Sequence, residues 1–144
     1  MRSVQTASDD ASLLACQDVI LTLRPHIQPG TLIVQIKEMQ QTGYRIIYLT
    51  ADDDPSKVVA FAGYRHKQTL HSGKFIYIDD LATLPEYRKQ GYSSLLLYHI
   101  RELAANEGLK VVQLDSGHSL APAHRLYFQQ GYYISAHHFT LNIF

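Results

Sequence analysis

Apolar positions recur at helical spacing near the start of the chain and at strand spacing through its middle, and the remainder alternates between the two periods. Residues 3–6 read as a short first strand. Asp9 or Asp10 can cap a helix running to about Leu23, with Leu13, Leu14, Val19 and Ile20 among its apolar positions. Pro25 ends that helix or follows its end. Gly30-Thr31 opens a second helix over about 31–41, carrying Leu32, Ile36 and Met39 on one face, and Gly43 supplies its stop. The period then shortens to two. Arg45–Thr50 and Val58–Arg65 are β-branched and aromatic and flank the turn Asp52-Asp53-Asp54-Pro55-Ser56, which predicts a hairpin. Phe75–Thr83 is a third such strand, ended by Pro85.

From there the pattern is helix (about 92–107, stopped by Gly108), strand (Val111–Asp115), helix (about 120–130, stopped by Gly131) and strand (from Tyr133). This order predicts an α/β chain built on a mixed sheet: an antiparallel front half followed by a β-α-β unit. The strands of that unit must be parallel and its crossover right-handed. In open α/β sheets the ligand site lies beyond the carboxyl ends of the parallel strands. Arg88–Ser94 falls there, between the third long strand and its crossover helix.

Composition narrows the picture. At 144 residues the chain has the length of one domain, 1–144, with no linker, repeat or low-complexity tract to divide it. Hydrophobic residues make up 46% and charged residues 18%, as in an ordinary globular protein. The formal net charge is zero, so neither nucleic acid nor an anionic membrane is expected as a partner through bulk charge, and any anion must be held locally. The single cysteine, Cys16, allows no intrachain disulfide. The opening residues lack signal-peptide order and no apolar run approaches the ~20 residues of a spanning helix, so a cytoplasmic location is the default expectation.

The stretch Arg88-Lys89-Gln90-Gly91-Tyr92-Ser93-Ser94 carries the chemistry. A helix start leaves N–H groups without internal partners at the positive end of the dipole. Gly91 lets the backbone approach a ligand, Ser93 and Ser94 keep the entrance small, and Arg88 and Lys89 add positive charge. Together they make a phosphate cradle of known physical type. On these residues alone, a solvated basic turn is the competing reading.

Two segments carry a family resemblance. Arg88-Lys89-Gln90-Gly91-Tyr92-Ser93 resembles the R/Q-x-x-G-x-G/A loop of the GCN5-related N-acetyltransferases, preceded by a similar strand and Pro85-Glu86-Tyr87 lead-in. Ala123-His124-Arg125-Leu126-Tyr127-Phe128-Gln129-Gln130-Gly131-Tyr132 resembles the second signature of that family, A-x-x-L/F-Y-x-x-x-G-F/Y. Two motifs in this order with a strand between them are a specific signal. There are departures: Ser93 stands where glycine or alanine is usual, and Leu120 where an asparagine often contacts the cofactor. The resemblance implies the family fold, a central mixed sheet of about six or seven strands with helices on both faces.

It also implies acetyl transfer from acetyl-CoA to a primary amine of a small molecule or peptide, by direct attack and with no metal. The diphosphate would lie on the N–H groups of Lys89, Gln90, Gly91, Tyr92, Ser93 and Ser94, with Arg88 nearby. The pantetheine arm would follow Leu81, Ala82 and Thr83, where the strand splays from 111–115. Tyr127 matches the tyrosine that protonates the leaving thiolate; without the resemblance it reads as a packed core residue. Asp79 and Asp80 are candidate bases; adjacent in a strand, they are expected on opposite faces, with Asp79 at the position where the family often carries a carboxylate. Acceptor specificity would lie in about 24–43 and 66–74. His118, His137 and His138 are candidates for the acceptor site, His66 and His71 flank the hairpin connection, and no His-x-x-x-His pair suggests a metal. The alternatives are a catalytically silent acyl-CoA-binding regulatory module and, against the absence of other nucleotide motifs, a different nucleotide-binding protein. A homodimer through the apolar final strand Phe139–Phe144 is a further candidate.

Overall fold

Asp9 caps the first helix, its carboxylate accepting the Ser12 N–H at 2.8 Å while the Ser12 hydroxyl accepts the Asp9 N–H at 3.2 Å. In the computed structural model, which describes residues 1–144, the expected single helix is two: α1 (Asp10–Ala15) and α2 (Gln17–Leu23), meeting at Cys16. The Cys16 N–H is shared between the Ser12 and Leu13 carbonyls, a tightening that ends α1, and α2 restarts at once. Leu13, Cys16, Val19 and Ile20 stay on one buried face across the break. Pro29 stands in the first turn of α3 (Pro29–Gln40), which buries Leu32 and Ile36 one turn apart. Gly43 follows with φ of 103°.

The chain forms two compact units, Met1–Leu114 and Asp115–Phe144. The first holds a five-stranded mixed sheet: β1 (Gln5–Thr6), β2 (Arg45–Ala51), β3 (Asp54–Thr69), β4 (Gly73–Thr83) and β5 (Val112–Leu114), in that spatial order. Every pair is antiparallel except β4–β5, which is parallel across α4 (Tyr92–Asn106). Val58 to Ala62 are buried without interruption. Successive strand residues point to opposite faces, so this run means that helices cover both sides of β3. α4 buries Tyr92, Leu96, Leu97, Ile100 and Ala104, an apolar stripe of helical period; each large side chain contributes about 1.5–3 kcal/mol. The second unit contains α5 (Ala121–Gln129).

The mixed α/β fold is as expected, but the sheet has five strands rather than six or seven. The strand expected from Tyr133, with its apolar end Phe139–Phe144, is absent: residues 132–144 hold no regular element. β-branched and aromatic residues suit a strand, but only a ladder of hydrogen bonds makes one, and this segment forms none. No helix is long and apolar enough to cross a membrane.

Candidate active site

The chain leaves β4 through a 3₁₀ turn at Pro85–Tyr87 and enters α4 through Arg88–Gly91. Lys89 has φ of 61° and Gly91 of 86°. A non-glycine residue in the left-handed region costs about 1 kcal/mol, and such positions turn successive N–H groups to one side. No side chain caps α4, and no backbone carbonyl accepts from the N–H groups of residues 89–94. Unspent donors at a helix start have the geometry of a cradle that could receive an anion. Three contacts fix its walls. Arg88 Nε donates to the Thr83 carbonyl at 3.2 Å. The Thr83 and Ser93 hydroxyls share a hydrogen bond of 2.8 Å, which ties strand end to helix start and turns the unexpected serine hydroxyl inward. Arg2 reaches the cradle from the first strand's side: it donates to the Gln90 carbonyl at 2.6 Å, stacks 3.7 Å over the Tyr92 ring and pairs with Asp52 at 3.0 Å.

The parallel β4–β5 ladder spans Ile76–Ile78 against Val112–Leu114 and no further. Asp79–Thr83 thus continue along β3 with the opposite edge unpaired by β5, which places Leu81, Ala82 and Thr83 at a split in the sheet. On the β3 side the register jumps from Tyr64↔Ile78 to Gly63↔Asp80, so Asp79 is the extra residue of a β-bulge.

The bulge corrects the expectation that the two aspartates face apart. Asp79 accepts from Arg65 Nε at 2.9 Å, and that guanidinium lies 5.4 Å over the Tyr44 ring. Asp80 accepts from the Tyr44 hydroxyl through one oxygen and from Arg24 through the other, at 2.8 Å to Nη2. Both carboxylates therefore converge around Tyr44, because the extra residue resets the alternation of side chains. Burial, and then the negative charge of Asp80, raises the Tyr44 phenol far above its ordinary value, so it remains a donor. A cavity of about 270 Å³ opens here, lined by Ile20, Leu32, Ile36 and Met39 with Arg24 and Asp80 at its polar end. Of the two aspartates, Asp80 is the one that lines it.

In the second unit Tyr127 sits on α5, its ring 5.9 Å from that of Tyr132. Burial raises its phenol above the ordinary value. Leu120 stands at the helix start and makes no side-chain cap. His124 Nε2 bonds the Gly117 carbonyl at 2.7 Å, and His138 lies 3.4 Å from Asp115. His66 pairs with Glu107 at 2.9 Å.

The model of the acetyltransferase (GNAT) family matches residues 21–132. The chain belongs to this acetyltransferase family. Among curated proteins it is 27% identical over 110 residues to the uncharacterized N-acetyltransferase YhdJ of Bacillus subtilis (strain 168), covering 76% of this chain and 75% of that one. Its fold matches a transcriptional regulator from Bacillus halodurans C-125 at a TM-score of 0.84 and 18% identity, over 99% of this chain and 100% of that one. It also matches the aminoglycoside N-acetyltransferase AAC(6')-Iy in complex with CoA at a TM-score of 0.83 and 12% identity, over 99% and 94% of the two chains. As a GNAT protein it is an acetyltransferase that acts on amines and takes an acyl-CoA co-substrate. The cradle fits that group: a diphosphate needs several convergent donors, and the N–H groups of residues 89–94 are unspent beside two cationic side chains.

Arg2, Arg24 and Tyr44 escaped the motif reading. Each acts through a partner distant in sequence, at Gln90, Asp80 and Asp80 respectively. Two signals pointed to Tyr44: a strand tyrosine can line a pocket with an apolar ring and a polar tip, and glycine inside a strand, here Gly63, marks a close approach.

Proposed function

We propose that the whole chain works as one cytoplasmic acyltransferase domain that acetylates a small primary amine from acetyl-CoA by direct attack. The observation that carries this is the cradle: amide donors without acceptors, directly after a strand whose parallel ladder stops at Ile78. Bound acetyl-CoA supplies the activated acetyl carbonyl and a thiolate leaving group. The N–H groups of residues 89–94 with Arg88 hold the diphosphate, and the open edge of Leu81, Ala82 and Thr83 orients the arm. The cavity beside Asp80 receives the amine.

An alkylamine has a pKa near 10.4 in water and attacks only when neutral. The apolar wall and the Arg24 cation both disfavour its charged form. Asp80, which already accepts three hydrogen bonds from Arg24 and Tyr44, accepts the departing proton directly or through water, whereas Asp79 is held by Arg65 outside the cavity lining. Tyr127 donates a proton to the thiolate; its raised phenol pKa keeps that proton in place at neutral pH. The exposed apolar side chains of Phe139, Leu141, Ile143 and Phe144 offer a surface to a second copy, and sedimentation as a clean monomer at micromolar concentration would remove that part.

The test is acetyl-CoA-dependent release of free thiol over an amine panel. Tyr127→Phe should lower kcat by about 100-fold or more while CoA affinity holds. An unchanged kcat refutes the acid role. CoA binding without thiol release across the panel would assign a silent binding module instead.

A further inference from the structure

We infer that the acceptor is a small monoamine on an apolar body, and that polycationic amines are excluded. This rests on the acetyl-transfer reading above and names its substrate class. The argument is charge and shape. Ile20, Ile27, Leu32, Ile36 and Met39 form the cavity's wall, presented by α2, α3 and the turn between them. Arg24 and Asp80 carry the charge, and they pair with each other at 2.8 Å. The Arg24 and Asp80 charges of the lining thus cancel. The pair is also ordered in depth: the Arg24 side chain is 42% exposed and that of Asp80 13%, so the cation stands at the rim and the carboxylate inside.

An ammonium leaving water needs a compensating charge. Here the inner carboxylate is already neutralised, and a second ammonium on the acceptor would meet aliphatic wall, the Gln35 amide, the His26 ring or the Arg24 cation, with no second carboxylate in the lining. A neutral amine on a hydrocarbon body has neither cost. It gains by burying its body against five aliphatic side chains, and its nitrogen meets Asp80 at the polar end. Size points the same way. About 270 Å³ lies below the roughly 300–1,000 Å³ of pockets that take drug-sized ligands. A short alkyl or arylalkyl amine matches that volume more closely than a linked-ring polyamine.

The experiment uses the full chain with saturating acetyl-CoA and measures kcat/KM for a straight-chain series from propylamine to hexylamine, 2-phenylethylamine, L-leucine, spermidine and kanamycin. The expected result is a rise of about fourfold per methylene until the cavity fills. Hexylamine or phenylethylamine should then exceed the zwitterion and both polycations by at least about tenfold. A flat series overturns the inference, and so does preference for spermidine, kanamycin or leucine. Calorimetric titration of the CoA-saturated protein with hexylamine and with spermidine separates the two levels of the claim. Tighter binding of hexylamine with no turnover of any amine sinks the acetyl-transfer reading alone; absence of hexylamine binding, or tighter spermidine binding, sinks this one. Met39→Glu places an unpaired carboxylate in the wall and should move the hexylamine-to-spermidine ratio at least about tenfold toward spermidine. Should that variant fail to fold, the wild-type series still decides.

Discussion

Gly63→Ala should be among the most damaging single-methyl additions in this protein. A β-carbon at Gly63 would lie 1.8 Å from the Tyr44 hydroxyl oxygen, 2.4 Å from Cζ and 2.7 Å from Cε1. All three are below any real contact, so the ring must shift toward the cavity it lines and give up its present contacts. Tyr44 is 3% exposed, its hydroxyl is bonded to Asp80, and the Arg65 guanidinium lies over its ring. Overpacking costs about 1–3 kcal/mol. Losing a hydrogen bond to a charged acceptor adds about 1.5–3 kcal/mol. Alanine's lower backbone entropy returns roughly 0.5–1 kcal/mol. The net is a destabilisation near 3 kcal/mol. With about 2.1 cal/mol/K per residue over 144 residues, the unfolding entropy is about 0.3 kcal/mol/K, so Tm should fall by about 10 °C. Differential scanning calorimetry of the wild type, Gly63→Ala, Tyr44→Ala and the double variant tests this directly. Tyr44→Ala removes the obstacle, so the double variant should melt close to Tyr44→Ala alone, a strong departure from additivity. A Gly63→Ala protein melting within about 2 °C of wild type would refute the reasoning.

Three further outcomes are expected. Gly91→Ala forces a β-carbon into the left-handed region at φ of 86°, a cost of about 1–2 kcal/mol, and should weaken CoA binding by about tenfold in a calorimetric titration. Arg2→Gln breaks the ion pair with Asp52 and loosens the hold on the Gln90 carbonyl; KM for acetyl-CoA should rise about three- to tenfold with kcat kept, in steady-state kinetics. Burial pushes the Cys16 thiol up to about 12, whereas an unfolded thiol titrates near 8.5. Its folded-state pKa is the higher one, so stability is intact below about pH 8.5 and falls as pH rises toward 12, at up to about 1.4 kcal/mol per unit. Urea midpoints between pH 8 and 9 should show this slope and lose it in Cys16→Ser, a window below the main ionisation of the tyrosines near 10.

What the sequence revealed was local. The Asp9 cap, the stops at Gly43 and Gly108 and the uninterrupted apolar run of β3 each follow from a few neighbouring residues, and each lies close to where spacing placed it. The turn into α4 was legible for the same reason, since glycine, helix start and basic pair are contiguous. What stayed hidden is non-local. One unpaired residue in β4 decides where Asp79 and Asp80 point, and no period in the sequence announces it. Arg2 meets a loop 88 positions away, a contact that only the hairpin's turn at Asp52 makes available. Apolar content alone promised a strand after Tyr133, but pairing depends on an edge being offered elsewhere.

The extra residue in β4 also throws the strand half a period out of phase with itself. Before it, Ile76 and Ile78 share a side with Leu81 and Thr83 after it, while Tyr77 shares the other with Asp80. Anyone transplanting the acid-bearing end of this strand into another scaffold must therefore carry the unbulged partner Gly63-Tyr64 with it. Grafted opposite a regular strand, the same nine letters from Phe75 to Thr83 would turn Asp80 onto the side of Ile76 and Ile78, toward the layer meant for oil.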